Sequence, residues 1–170
     1  STGYIFSCQK GAGSSAFSVN VQTNGTARGV VWKGASAHSF PVSTTAVNDG
    51  NWHHVVVVAK NNSQKVYVDG SLEGEQTHTM DLPTSTDGCT IGAHDSGANN
   101  LYNGSLTGLA VYTVELDADA ITSIYNAGRH HNLNTPIGNY SSTPSHYYAL
   151  GYGLFDDRVN GVVHDQANLG

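Results

Sequence analysis

The chain has 170 residues, enough for one domain with a sizeable core. Its formal net charge is −6, and seven residues are Lys or Arg. So few cations cannot line a phosphate backbone, so nucleic acid is not expected as a partner. No apolar run approaches the ~20 residues that span a bilayer, so no membrane insertion is expected either.

Only 12% of residues are charged, whereas glycine occurs 20 times and Ser, Thr and Asn are abundant. That composition suits short strands joined by tight turns rather than salt-bridged helices. The first residue is Ser, so the chain reads as a processed product or a portion of something longer. Cys8 and Cys89 could close one long loop or remain thiols. With no secretion signal in view, free thiols are the expectation. No Cys-x-x-Cys pair occurs, which removes a zinc ribbon or thioredoxin-like site.

Tyr4 to Cys8 reads as a first strand, with Gly11 and Gly13 turning after it. Ala16 to Val21 alternates: Phe17, Val19 and Val21 on one face, Ser18 and Asn20 on the other, the pattern of a half-buried strand. Asn24-Gly25 signals a hairpin, and Arg28 to Lys33 returns from it. A short strand over 39–43 comes next. Asn48-Asp49-Gly50 is a turn before Trp52 to Ala59, which is apolar on both faces apart from His53 and His54. Such a run predicts a central strand covered on both sides, with Trp52 capping the core. Lys65 to Val68 returns after Asn61-Asn62, and Asp69-Gly70 fits a type I′ turn. Leu72 to Thr79 reads as a more polar strand and Cys89 to Gly92 as a short buried one. A Gly/Asn loop over 95–104 leads into a strand from Leu106 to Tyr112.

One helix is predicted, near 117–127. Asp117 is a good N-cap, and Leu116 and Ile121 have the spacing of a hydrophobic staple. Ile121, Ile124 and Tyr125 supply an apolar face, and Gly128 is placed to end the helix. Residues 129–146 are polar and linker-like, with Pro136 and Pro144. Tyr147, Tyr148, Leu150 and Tyr152 read as a new strand.

Asp49-Gly50-Asn51-Trp52-His53-His54-Val55 followed by Val66-Tyr67-Val68-Asp69-Gly70 resembles the central hairpin of laminin-G-like and pentraxin-like jelly rolls. Ile91-Gly92-Ala93, Tyr102-Asn103-Gly104-Ser105-Leu106, Leu109 to Tyr112, then Leu116, Ile121 and Tyr125-Asn126 continue the likeness in order. These families belong to the concanavalin-A-like lectin and glucanase superfamily. The resemblance implies an all-β fold: a two-sheet antiparallel jelly-roll sandwich with one short helix. It spans a body over 1–128, then the linker, then a segment over 147–170. That last segment resembles the opening such a domain ordinarily has, which is missing from the start. It could complete this sandwich, complete a neighbouring subunit's by strand exchange, or begin a next repeat.

Candidate chemistry is sparse. His53 and His54 are adjacent on a strand and point to opposite faces, so they cannot chelate one ion together. The resemblance implies calcium, and Asp95, Asn99, Asn100 and Asn103 sit in a loop of the right chemistry, with Asp156, Asp157 and Asp165 as a second group. Asp95, Asn99 and Asp165 are the metal candidates, although Asp and Asn also favour turns for their own reasons. A retaining glycosidase needs two carboxylates ~5 Å apart. The glutamates are Glu73, Glu75 and Glu115. Glu73 and Glu75 read as solvated edge positions, so no catalytic residue is assigned. For sugar binding, Tyr102 is the exposed aromatic candidate, with Asn100 and Asn103 as amide partners.

The expectation is a non-catalytic structural or adhesive module of a larger assembly, at a virion surface or outside the cell. Its partners would be other subunits, in a homo-oligomer, and glycans. The alternatives are a calcium-dependent lectin-like module and, far behind, a glucanase-like enzyme.

Overall fold

Short apolar and polar alternations, broken every few residues by turn chemistry, build most of the molecule as antiparallel strands. The computed structural model describes residues 2–9, 15–33, 36–77, 79, 85–94 and 100–150. The chain forms two compact units, Ser1–Gly104 and Ser105–Gly170.

The first unit contains β1 (Gly3–Gln9), β2 (Ser15–Val21), β3 (Thr26–Lys33), β4 (Ser36–Ala46), β5 (Val55–Lys60), β6 (Ser63–Val68), β7 (Ser71–Gln76) and β8 (Gly88–Ile91). One sheet has five strands in the order β4-β3-β2-β1-β8; the other has three in the order β5-β6-β7. Val31 is fully buried between them, with Phe17 of the first sheet and Val57 and Ala59 of the second packed against it. This is a jelly-roll sandwich, as the resemblance implied.

The hairpins follow their turn residues. The Gly25 amide donates to the Gln22 carbonyl at 2.9 Å, closing the β2–β3 turn around Asn24. Asp69 and Gly70 both have positive φ, 52° and 79°. That is the backbone a type I′ turn requires and the reason glycine follows aspartate there.

Three expectations are corrected. The central strand expected over Trp52 to Ala59 begins at Val55, and among the described residues it pairs with β6 alone. Within the three-stranded sheet the strand buried most deeply is β6, where Val66, Tyr67 and Val68 are 0–3% exposed. An unbroken apolar run shows that a strand has apolar faces, but not how many neighbours pair with it. Second, β2 is not half-buried in the expected sense. Its Ser18 and Asn20 are buried to 1% and 0%, alongside Ser7, the cross-strand neighbour of Ser18. Third, Cys8 and Cys89 are not thiols but a disulfide. They occupy facing positions on adjacent strands, 4.0 Å apart at Cα, a pairing that sequence spacing cannot reveal.

The second unit holds β9 (Leu109–Val111), α1 (Ala118–Ala127) and β10 (His146–Tyr148), with β10 antiparallel to β9. Asp117 caps α1 by accepting from the Ala120 amide at 2.8 Å, and Gly128 ends it at φ 83°. Leu116, Ile121 and Ile124 are buried as the staple and apolar face require. Tyr125, expected beside them, is instead 43% exposed. Tyr140 is buried; its hydroxyl donates to the Leu133 carbonyl and meets the Tyr112 hydroxyl at 2.8 Å. The Ser145 amide and hydroxyl both donate to the Val111 carbonyl, at 2.8 and 2.9 Å, just ahead of β10. Among the described residues no helix is long and apolar enough to cross a membrane.

Candidate binding site

The segment before β5 is locked by side chains from two turns. Asp49 folds over its own loop: Oδ1 accepts from the Asn51 amide at 2.8 Å and Oδ2 from Asn51 Nδ2 at 2.9 Å, the Asx geometry that aspartate favours in turns. Those Asn51 bonds, with a further one to His53, hold its carboxyl down at about 2. From the β6–β7 turn, Asp69 Oδ1 accepts from the His54 amide at 2.8 Å, while the Asp69 amide donates to the His54 carbonyl at 2.9 Å.

His53 lies between the two carboxylates. Its Nδ1 is 2.8 Å from Asp69 Oδ2 and its Nε2 3.0 Å from Asp49 Oδ1. With both ring nitrogens directed at carboxylates, the imidazolium is the form that satisfies both contacts. Burial pushes its pKa down, but the bonds to Asp69 and Asp49 outweigh it and raise it above the ordinary value. The neighbouring His54 goes the other way: burial lowers its pKa, with Asp69 only partly opposing.

Between these fixed points stands Trp52, expected to cap the core but 47% exposed. The loop therefore exposes both the Trp52 side chain and the Asp49 carboxylate, which is 45% exposed. Chemically this is a contact surface. An indole face stacks on apolar C–H groups, and the spare lone pairs of an ionised carboxylate accept from hydroxyls. It contains no nucleophile, and His53 has no ring nitrogen to spare as a base.

The glutamates are engaged in structure. Glu73 accepts from the Thr44 amide (2.8 Å), the Thr44 hydroxyl (3.1 Å), the Thr45 amide (2.8 Å) and the Thr45 hydroxyl (2.5 Å). Reading it as a solvated edge residue is therefore corrected: it ties β7 to β4. Glu75 is exposed and pairs with Lys65 at 3.6 Å.

Of the sequence candidates, Asp95, Asn99 and Asp165 lie outside the described residues. Asn100 is exposed with φ 48°, and its carbonyl accepts from the Tyr4 amide at 3.1 Å. Asn103 is exposed as well. Tyr102 is half-buried: its amide donates to the Gly92 carbonyl at 2.8 Å, and its ring leaves no room for a Cβ at Gly104. Among the described residues of this loop, Leu101 is the apolar side chain most open to solvent, at 62%. Among the described residues no group of three or more His, Cys, Asp or Glu is placed to hold a metal ion. The sequence marks Asp49 and Asp69 only as turn residues of the fold, and His53 as a strand residue unable to chelate an ion together with His54. The signal that they form one cluster was available: each aspartate sits in a turn at the same end of one hairpin.

A laminin G family model, described as the concanavalin A-like lectin/glucanases superfamily, matches residues 1–122. Comparison with curated proteins gives no match. Among solved structures, the chain is similar to the native heptameric SAP-like pentraxin from Limulus polyphemus. Identity is 22% over 96% of this chain and 75% of that one, with a TM-score of 0.59. It is also similar to an S-layer domain-containing protein from Clostridium thermocellum, at 20% identity over 64% of this chain, with a TM-score of 0.42. The chain spans 55% of the length of that second structure. The family match covers the greater part of the sequence, and the pentraxin likeness gives the same jelly-roll fold. This chain belongs to the concanavalin A-like lectin/glucanases superfamily.

Proposed function

We propose that the chain is a non-catalytic structural and adhesive module of a larger assembly, outside the cell or on a virion surface, and that it contacts glycans through the Trp52 loop. The observation that carries this reading is Trp52 itself, 47% exposed on a loop whose flanking residues are fixed by Asp49 and Asp69. A rigid aromatic held out to solvent loses little entropy on contact, the property that makes tryptophan an anchor in recognition surfaces. The disulfide supports an oxidising location. The engagement of Glu73 by two threonines and of Glu75 by Lys65 argues against a glucanase-like carboxylate pair built from them.

The test has two arms. Incubation with soluble β-glucans should release no reducing ends; turnover abolished by Glu73→Gln would overturn the non-catalytic reading. Migration through gels containing β-glucan or galactan should be retarded for the native chain and restored by Trp52→Ala. Equal migration of the two proteins in every polysaccharide would overturn the Trp52 assignment. Retardation that EDTA removes and Trp52→Ala does not would favour the calcium-dependent lectin instead.

A further inference from the structure

The chain contains four Asn-x-Ser/Thr triplets with no proline in the middle: Asn24-Gly25-Thr26, Asn61-Asn62-Ser63, Asn103-Gly104-Ser105 and Asn139-Tyr140-Ser141. This is the acceptor pattern for N-linked glycan in secreted proteins. A chain rich in Asn, Ser and Thr produces such triplets by composition alone, so their placement decides what they mean. All four acceptor asparagines are exposed, and all lie in turns or loops. Asn20, whose side chain is fully buried, is not part of a triplet.

At Asn24 the geometry goes further than exposure. The residue stands in the turn between β2 and β3, beside the exposed Thr23. Its Oδ1 accepts from the Thr26 amide at 3.2 Å and from the Thr26 hydroxyl at 2.7 Å; that hydroxyl also lies 3.0 Å from Gln22 Oε1. The first and third residues of the triplet are thus joined in an Asx turn. Both contacts use the amide oxygen of Asn24. Among the described residues no hydrogen bond engages its Nδ2, the atom that takes the sugar. The backbone beneath is fixed: the Gly25 amide donates to the Gln22 carbonyl at 2.9 Å, and the Val47 amide to the Gly25 carbonyl at 2.8 Å. A glycan on Nδ2 projects from this turn into solvent and displaces nothing buried.

The compartment is the second requirement. Cys8 and Cys89 are bridged, and such bridges form where thiols are oxidised, as they are along the secretory route.

We propose that Asn24 is a modification site that carries an N-linked glycan. In the transfer, Nδ2 attacks the anomeric carbon of a sugar carried on a polyprenyl pyrophosphate, the donor class that a secretory transferase supplies. The N–C bond forms as the C–O bond to pyrophosphate breaks. One Nδ2 proton passes to a base, and the polyprenyl pyrophosphate leaves with its electron pair. The attached sugar adds hydroxyl-rich surface to a chain with 12% charged residues, which favours solubility. This goes beyond the adhesive reading and shares with it the location outside the cell.

The test is mass spectrometry of intact glycopeptides from the full chain secreted by yeast or insect cells. The peptide containing Asn24 should carry N-acetylhexosamine and hexose. That mass should vanish in Asn24→Gln and in Thr26→Ala, which keeps the asparagine but removes the hydroxyl, and should return in Thr26→Ser. Circular dichroism should be the same for all four proteins. A bare Asn24 peptide from a secreted chain with Cys8 and Cys89 bridged would overturn the proposal and leave the location standing. Sugar that persists in Thr26→Ala would overturn it too, because attachment would not then depend on the triplet. Sugar on Asn24 in a chain that polysaccharide gels do not retard would uphold it while the adhesive reading fell.

Discussion

Thr45 closes both oxygens of the Glu73 carboxylate: its hydroxyl donates to Oε1 at 2.5 Å and its amide to Oε2 at 2.8 Å. With the two bonds from Thr44, one side chain on the edge of the three-stranded sheet holds the edge of the five-stranded sheet. Burial pushes the Glu73 pKa up, but the bonds from Thr45 and Thr44 win, and it falls below its ordinary 4.5. A carboxyl depressed by folding stabilises the protein above its unfolded pKa, and that stability is lost as pH falls through the folded value. Glu73→Ala should therefore cost about 1–3 kcal/mol in urea unfolding at pH 7. The difference between native and Glu73→Ala proteins should shrink below pH 4.5. A constant difference down to pH 2 would show that the carboxylate charge is not what holds β4.

His53 acts in the opposite direction. Its pKa is raised by Asp69 and Asp49 against the effect of burial. The contribution is complete below the ordinary His value near 6.5 and is lost as pH rises through the elevated folded value. Melting temperature should therefore decline from about pH 6.5 upward in the native protein, and this decline should flatten in His53→Gln. NMR titration of the imidazole gives the same test directly: an inflection at or below 6.5 would mean that the two carboxylates do not hold the proton.

How much of this was legible in the sequence depends on the range of the physics involved. Turn chemistry acts over two to four residues, and Asn24-Gly25, Asp69-Gly70 and the Asp117 cap all sit where local preference places them. Alternation along β2 correctly separated Phe17 and Val19 from Ser18 and Asn20, yet it could not say that the polar face is covered too. Nor could an apolar run reveal that β5 pairs, among the described residues, with β6 alone, because pairing depends on other strands. At the candidate site, the residues were visible but their partnership was not. Asp49 and Asp69 are 20 positions apart, and only the hairpin brings both to His53. Trp52 was misplaced for the same reason, since its exposure follows from the hydrogen bonds of its neighbours rather than from its own hydrophobicity.

The disulfide joins residues 81 positions apart. On the chain-entropy account, a loop of that size is worth on the order of 4–5 kcal/mol through restriction of the unfolded chain. Cys8→Ser with Cys89→Ser should thus lower the denaturant midpoint substantially while leaving the folded spectrum intact. Cys89 is exposed and Cys8 buried, so mild reductant should reach the bond from the β8 side in the folded state. A midpoint unchanged by full reduction would show that the pairing of β1 with β8 already supplies the constraint.

Gly74 reports how closely the two sheets approach at their edges. A Cβ there would lie 2.8 Å from Pro41 Cβ, 3.1 Å from the Val42 carbonyl oxygen and 3.2 Å from Val66 Cγ1. The first distance is shorter than carbon atoms tolerate, and the proline ring and the β4 backbone have little freedom to retreat. The glycine is therefore explained by contact rather than by φ, because it lies inside β7 and is absent from the positive-φ residues. Gly74→Ala should destabilise by about 1–3 kcal/mol through overpacking, against the usual gain from replacing a strand glycine. Because Glu73 is the next residue, the displaced β7 should also loosen its bonds to Thr44 and Thr45. Gly74→Ala and Glu73→Ala should then be less than additive in a double-mutant cycle. Full additivity would mean that the steric contact at Pro41 and the carboxylate tie act on β4 independently.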